Sequence, residues 1–259
     1  MRMPVVFVGH GNPMNAIERN EFHLGWENLA QRLPRPQAIL CVSAHWETQG
    51  AQVTAASRPV TIHDFHGFPQ ALFDVRYPAP GDPALAARVA GLVRSETVHL
   101  DTQRGLDHGA WSVLIAMYPE ADIPVVQLGM DTAMPGTYHY ALGRQLAPLR
   151  DENVLVLASG NMVHNLRLFS FRNAEPQAWA TECDRELRTL IAARDHQALA
   201  DYPDRNAATR LAVPTPEHYY PLLYALALQD ADEPAEFFNV RVVSAISMTS
   251  VVIGGPPRR

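Results

Sequence analysis

The chain carries only two cysteines in 259 residues, Cys41 and Cys183. Two thiols exclude the disulfide framework of a small secreted scaffold and fit a reducing compartment. Cys41 sits inside the apolar run AILCVSA and reads as a small core residue. Long apolar runs are missing too: none reaches the ~20 residues that a membrane-spanning helix needs. The opening apolar stretch, PVVFV, is too short for a secretory signal. There is no basic excess: 21 Lys and Arg against 27 Asp and Glu give a formal net charge of −6. Without a basic stripe, the electrostatic footprint of nucleic-acid binding is absent. The phosphate loop G-x-x-x-x-G-K-[ST] and the dinucleotide turn G-x-G-x-x-G do not occur. Ser43, next to Ala44-His45, lacks the G-x-S-x-G turn of a hydrolase nucleophile. These absences lead us to expect a soluble, cytoplasmic protein with neither nucleic-acid nor membrane partners. Its oligomeric state stays open, a homo-oligomer included.

What is present is a core. Hydrophobic residues make up 47% of the chain, ordinary for a globular protein. Strands are expected over VVFVG (5–9), QAILCVSA (37–44), AQVTAA (51–56), TVHLD (97–101), IPVVQLG (123–129) and VLVLASG after Asn153. A late pair follows, FFNVRVV (237–243) and SAISMTSVVIG (244–254). Several are continuously apolar, as strands covered on both faces are. Helical spacing falls between them, over 21–33, 82–95, 111–118, 136–152, 177–195 and 215–230. Asp82 with Pro83, and Thr215 with Pro216, read as helix starts. Strand and helix alternate, so the expected fold is α/β. It would be a single domain over 1–259 with a central, largely parallel or mixed sheet and helices on both faces. The stretch 56–81 is rich in Pro, Gly and aromatics and too long for a plain connection, which marks it as functional. The closing GPPRR reads as a frayed tail.

Eleven histidines are present, and their placement carries the functional signal. His10 ends the first strand between two glycines, His45 follows the second in SAHWE, and His164 follows ASGNMV. A parallel sheet brings such strand ends to one edge, where ligands bind in open α/β sheets. His218 stands in the expected first turn of the 215–230 helix, and His108 in LDHGAW just before another helix. Neutral imidazoles gathered in this way suit zinc, iron or copper. His10, His45, His164 and His218 together therefore read as a site. His23, His139 and His196 read as surface groups and His99 as a structural residue, while His66 is ambiguous.

GHGNPMN, SAHWE, TIHDFHGFPQALFDVRYPAPG, DHGAWSVL, ASGNMVHNLR and PTPEHYYPLLYALA occur in this order. Together they resemble the 4,5-DOPA extradiol dioxygenase family, within the LigB-like class III ring-cleaving dioxygenases, and its bacterial branch in particular. The resemblance runs from about Pro4 to Gly254. It implies an oxidoreductase with one divalent non-haem metal per chain, Fe(II) for activity or Zn(II) as found after purification. That enzyme opens a small aromatic diol such as L-DOPA with O2 to a muconic semialdehyde. It also implies His10, His45 and His218 as ligands. His164 becomes the acid/base, able to approach the metal as well, and His108 a second pocket histidine. His63 and its loop would cover the substrate. Trp46, Phe65, Phe68 and Tyr219 are candidate walls of a ring pocket, with core packing as the alternative for each. Many class III members use two histidines and a carboxylate. Here Glu217 adjoins His218, and helical neighbours point about 100° apart, so both are not expected on one ion. Two rival readings share these residues: a zinc-dependent hydrolase or lyase, and a non-catalytic binding module like the Memo-type proteins.

Overall fold

The structure is a computed structural model and describes residues 2–202 and 205–255. Most of the stretch read as a tail, residues 256–259, lies outside the described residues. Strands β1 (Val5–Gly9), β2 (Ala38–Glu47), β3 (Gln52–Thr54), β4 (His99–Asp101), β5 (Val125–Met130), β6 (Val154–Gly160) and β7 (Ala235–Phe238) come first in the chain. β8 (Val242–Val243), β9 (Ile246–Ser247) and β10 (Ser250–Ile253) follow. Eight of them form one sheet, ordered β4-β3-β5-β2-β6-β1-β10-β7, while β8 and β9 make a separate hairpin. The four central strands are parallel, through β1 with β6, β6 with β2, and β2 with β5. β10 and β7 add on antiparallel at one edge, and β3 is antiparallel to β5 at the other, so the sheet is mixed.

The continuously apolar strands are buried throughout, because each face has its own core. Val5, Phe7, Leu40, Val42, Val156 and Ala158 point to one side. Val6, Val8, Ile39, Cys41, Leu155 and Leu157 point to the other, as a side-chain period of two requires. The nine helices among the described residues are α1 (Glu21–Arg32), α2 (Gln70–Phe73), α3 (Pro83–Leu92), α4 (His108–Met117), α5 (Gly136–Gln145), α6 (Ala178–Ala193), α7 (His196–Ala200), α8 (Ala207–Ala212) and α9 (Tyr220–Ala227). α9 packs on the first face against β6, and α4 on the second against α1 and β2. No described helix is long and apolar enough to cross a membrane.

Several expected boundaries move, each for a local reason. The helix expected over 215–230 begins only at Tyr220, because Pro221 lacks a backbone N–H and is accommodated in the first turn. His218 therefore lies in a turn and not on the helix. The helix expected over 136–152 ends at Gln145, and a 3-10 turn containing Pro148 completes it. FFNVRVV breaks at Asn239, whose φ of 50° is left-handed. His99 is exposed on an edge strand and is not a satisfied interior group.

His139 is likewise no surface group. It is fully buried in α5, with Nδ1 3.0 Å from Tyr224 Oη and its ring 4.1 Å from that of Tyr220. Burial lowers its pKa to about 4, against the pull of the Met134 and Asp131 carbonyls. As pH falls, the unfolded chain takes up this proton first. The stability that His139 contributes is thus present above about pH 6.5 and lost between there and pH 4, about 3 kcal/mol in all. His139→Gln should unfold in urea with a shallower loss of stability from pH 7 to pH 5 than the parent chain. Parallel pH profiles would show that this histidine is not buried neutral.

Candidate metal centre

Three imidazoles meet at the carboxyl edge of the parallel strands. His10 directly follows β1, and its Nδ1 lies 2.9 Å from Ser159 Oγ near the end of β6. Ser159 spends its single proton on the Gly109 carbonyl at 2.5 Å, so its oxygen accepts from His10 Nδ1–H. That leaves His10 Nε2 bare. His45 belongs to β2 where its register against β5 shifts, between Val42 and Glu47, an irregularity that re-aims side chains. Its Nδ1 faces Asp64 Oδ2 at 3.5 Å. His218 Nδ1 lies 2.9 Å from Glu217 Oε1. Each ring thus turns Nδ1 to an oxygen acceptor and keeps Nε2 for the interior, the usual arrangement around metal-ligating histidines.

Close packing makes this possible. Gly160 ends β6 against the backbone of His218, where an added Cβ would stand 2.1 Å from the His218 carbonyl oxygen. At Gly109, in the first turn of α4, a Cβ would come within 2.9 Å of the His45 ring. Only glycine fits at either position.

His10 Nε2 and His45 Nε2 are 3.1 Å apart, and one nitrogen from each of His10, His45 and His218 lies within 4.8 Å of the others. Ring nitrogens gathered this closely suit a shared cation. Protons fill that role poorly, because burial, then the neighbouring histidines, pushes His10 and His218 well below their ordinary pKa. Burial brings His45 down to about 4. A divalent metal with Zn–N-like bonds of about 2.0–2.1 Å fits the donor set and the spacing.

Two further histidines flank this group. His164 stacks on His218, with centroids 3.5 Å apart and planes 11° from parallel. Burial lowers its pKa to about 4, with Glu217 opposing and His45 reinforcing the shift. His108 opens α4 beneath the Asp107 cap, with its ring 3.8 Å from that of His45. Asp64 Oδ1 accepts the His108 backbone N–H at 3.0 Å and lies equally near His108 Nδ1, though off-line for a full bond. Burial alone would raise the Asp64 carboxyl. His108, then His45, hold it down at about 2.

The histidines form the floor of a cavity of about 630 Å³ whose walls include Phe65 and Phe68. Three residues expected at the ring do not line it. His63 bonds the Val75 carbonyl at 3.0 Å and backs Phe65 from behind, with its ring 5.8 Å away. Trp46 is buried beneath the Arg104 guanidinium. Tyr219 stacks on Tyr202 and donates to the Leu199 carbonyl at 2.8 Å. The expectation for Glu217 also changes. Freed from helical geometry by the turn, it comes within 4.8 Å of both His164 and His218. The sequence reading missed Ser159 and Asp64 as partners, although ASGN and HDFH place them beside residues it did select.

Comparisons with known proteins agree with this geometry. A family model described as the catalytic LigB subunit of aromatic ring-opening dioxygenase matches residues 4–253. The chain is 48% identical to 4,5-DOPA dioxygenase extradiol of Escherichia coli K12, over 98% of this chain and 95% of that one. It is 39% identical to the protein of the same name from Beta vulgaris, over 90% and 89%. Among solved structures, an uncharacterized protein of Escherichia coli K12 superimposes with a TM-score of 0.86 at 44% identity, covering 98% of this chain and all of that one.

His10→Ala and His45→Ala should each lose most of the bound divalent metal, counted by elemental analysis after dialysis; full occupancy in either variant would remove that residue from the ligand set. Asp64→Asn exchanges an acceptor for a group that can present N–H to His45. Its metal affinity should fall about 10- to 100-fold with the fold intact by circular dichroism. An unchanged affinity would show that the Asp64 contact is incidental.

Proposed function

The chain belongs to the family of the catalytic LigB subunit of aromatic ring-opening dioxygenases, and on that premise we propose that it is a metal-dependent extradiol dioxygenase. It opens the ring of a catechol such as L-DOPA with O2 to a muconic semialdehyde. The observation that carries this reading is the convergence of ring nitrogens from His10, His45 and His218 on the floor of an aromatic-walled cavity. Such a floor leaves room above it for a small aromatic diol and O2 together.

His10, His45 and His218 hold the metal, with Ser159, Asp64 and Glu217 fixing their tautomers. Bound Fe(II) would supply a Lewis acid and a redox-active relay for electrons passing from catechol to O2, whereas Zn(II) would supply the Lewis acid alone. His164, neutral and parallel to His218, accepts a catechol hydroxyl proton and returns it as the ring opens. His108, against the His45 ring and beside Asp64, presents a second proton-bearing group on the opposite side of the floor. Phe65 and Phe68, edge to face at 5.3 Å, hold the ring and keep water from the reacting atoms.

Metal-stripped protein, reloaded anaerobically with Fe(II) or Zn(II) and offered L-DOPA and simple catechols, tests this reading. Oxygen uptake with Fe(II) alone, and a yellow ring-opened product, is the expected result. His164→Ala should keep its metal and lose about 100-fold or more in kcat. Tight Fe(II) binding without oxygen uptake on any catechol would turn the assignment toward a zinc hydrolase or a binding module.

A further inference from the structure

Where β2 slips out of register, His45 loses its place in the sheet ladder. β2 pairs with β6 as far as Ser43 and with β5 as far as Val42, and pairing resumes only at Glu47 with Met130. Among the described residues, Ala44, His45 and Trp46 have no strand partner. A peptide left this way in the interior must find its hydrogen bonds elsewhere. His45 finds both on side chains. Its N–H donates to Ser43 Oγ at 3.3 Å, and its carbonyl accepts from Arg104 Nη2 at 3.0 Å. Trp46, the next residue, lies beneath that guanidinium, with its ring centroid 5.5 Å away.

Both contacts lead to one carboxylate, that of the fully buried Asp107. Its Oδ1 accepts the Ser43 hydroxyl proton at 2.6 Å and the Ala110 N–H at 3.2 Å. Its Oδ2 accepts from Gln127 Nε2 at 2.8 Å and from Arg104 Nη2 at 3.3 Å. Arg104 Nη2 therefore spends one hydrogen on the carboxylate and the other on His45. A buried carboxylate persists when it is paired and hydrogen-bonded, and four donors, one of them a cation, meet that need here. The Ala110 bond is the cap of α4, whose first residue is His108. Gly109 follows, and a Cβ there would collide with Ser43 Oγ and the His45 ring. The same carboxylate thus anchors the backbone of both His45 and His108, whose rings stand 3.8 Å apart.

Resting on the assignment of His45 as a metal ligand, we infer that Arg104 and Asp107, together with Ser43, are positioning residues of the metal centre. None of the three lines the cavity. They act by holding the His45 peptide rigid in the gap of the ladder, so that its ring meets the ion without rearrangement. The register shift re-aims the side chain but removes the strand contacts that would steady it. The clamp from Asp107 supplies that steadiness, and a ligand held in place binds more tightly because less freedom is lost on binding.

The test measures Zn(II) affinity, by competition with a chromophoric chelator, on the full chain carrying Ser43→Ala, Arg104→Met, both together, or His45→Ala. Ser43→Ala keeps the ion pair of Arg104 with Asp107, so it decides the matter even where Arg104→Met fails to fold. Ser43→Ala and Arg104→Met should each bind Zn(II) about 10- to 100-fold more weakly, with the fold intact by circular dichroism. The visible bands of the Co(II)-loaded protein should shift in both, a signature of altered ligand geometry that lost stability alone does not move. The double variant should lose less than the product of the two single losses, because both arms end on one carboxylate. Zn(II) affinity and Co(II) bands equal to the parent's in Ser43→Ala, while His45→Ala loses its metal, overturn the inference and leave the ligand assignment standing. Metal retained in His45→Ala defeats both. Losses that multiply in full in the double variant show two independent contacts and overturn the clamp.

Discussion

The Nε2 atoms of His10 and His45 face one another 3.1 Å apart in an interior where burial disfavours the charged form of both rings. Most other features of the site serve to keep them there. Ser159, Asp64 and Glu217 draw the opposite ring nitrogens outward. The central parallel strands fix the distances, since β1 and β6 run in register to their last pair, Gly9 opposite Gly160. Gly160 then lets the His218 turn press onto that strand end. Strands so buried on both faces cannot yield easily, and a close-packed interior passes this stiffness to the rings.

Much of this was legible in the sequence, because a strand followed by a histidine is a local pattern. His10, His45 and His164 were found that way, and the structure brings them together with His108 and His218. The α/β class followed from strand and helix alternation, and the mixed sheet departs from parallel only at its edges. The misplacements share a physical cause. Trp46 follows His45 in a strand, where successive side chains leave by opposite faces, so choosing one should have ruled out the other. Tyr219 stands next to His218 and turns instead to Tyr202. His139 looked peripheral in an amphipathic stretch, yet its partner Tyr224 lies 85 positions away. Ser159 and Asp64 were invisible for the same reason: their importance lies in contacts that cross 149 and 44 positions respectively.

The long loop over 56–81 serves the site in two ways. It carries Asp64, which touches both His45 and His108, and one residue later Phe65, which walls the cavity. His63, just before them, ties the loop down through the Val75 carbonyl. Polar anchoring and apolar lining therefore come from one short run of chain, and displacing either displaces the other.

The opposite wall is organised differently. Leu166, Phe169 and Phe171 belong to a stretch that supplies lining but, after His164, none of the histidines of the floor. It is pinned at both ends: Asn165 donates to the Ala245 and Leu211 carbonyls, Ser170 N–H to Ser244 Oγ and Gln177 N–H to the Ser244 carbonyl. These anchors run through Asn165, Ser170 and Gln177, so the apolar side chains between them can change without breaking one. The loop carrying Asp64 allows no such freedom, so variation in what the cavity admits is channelled to one side of the molecule.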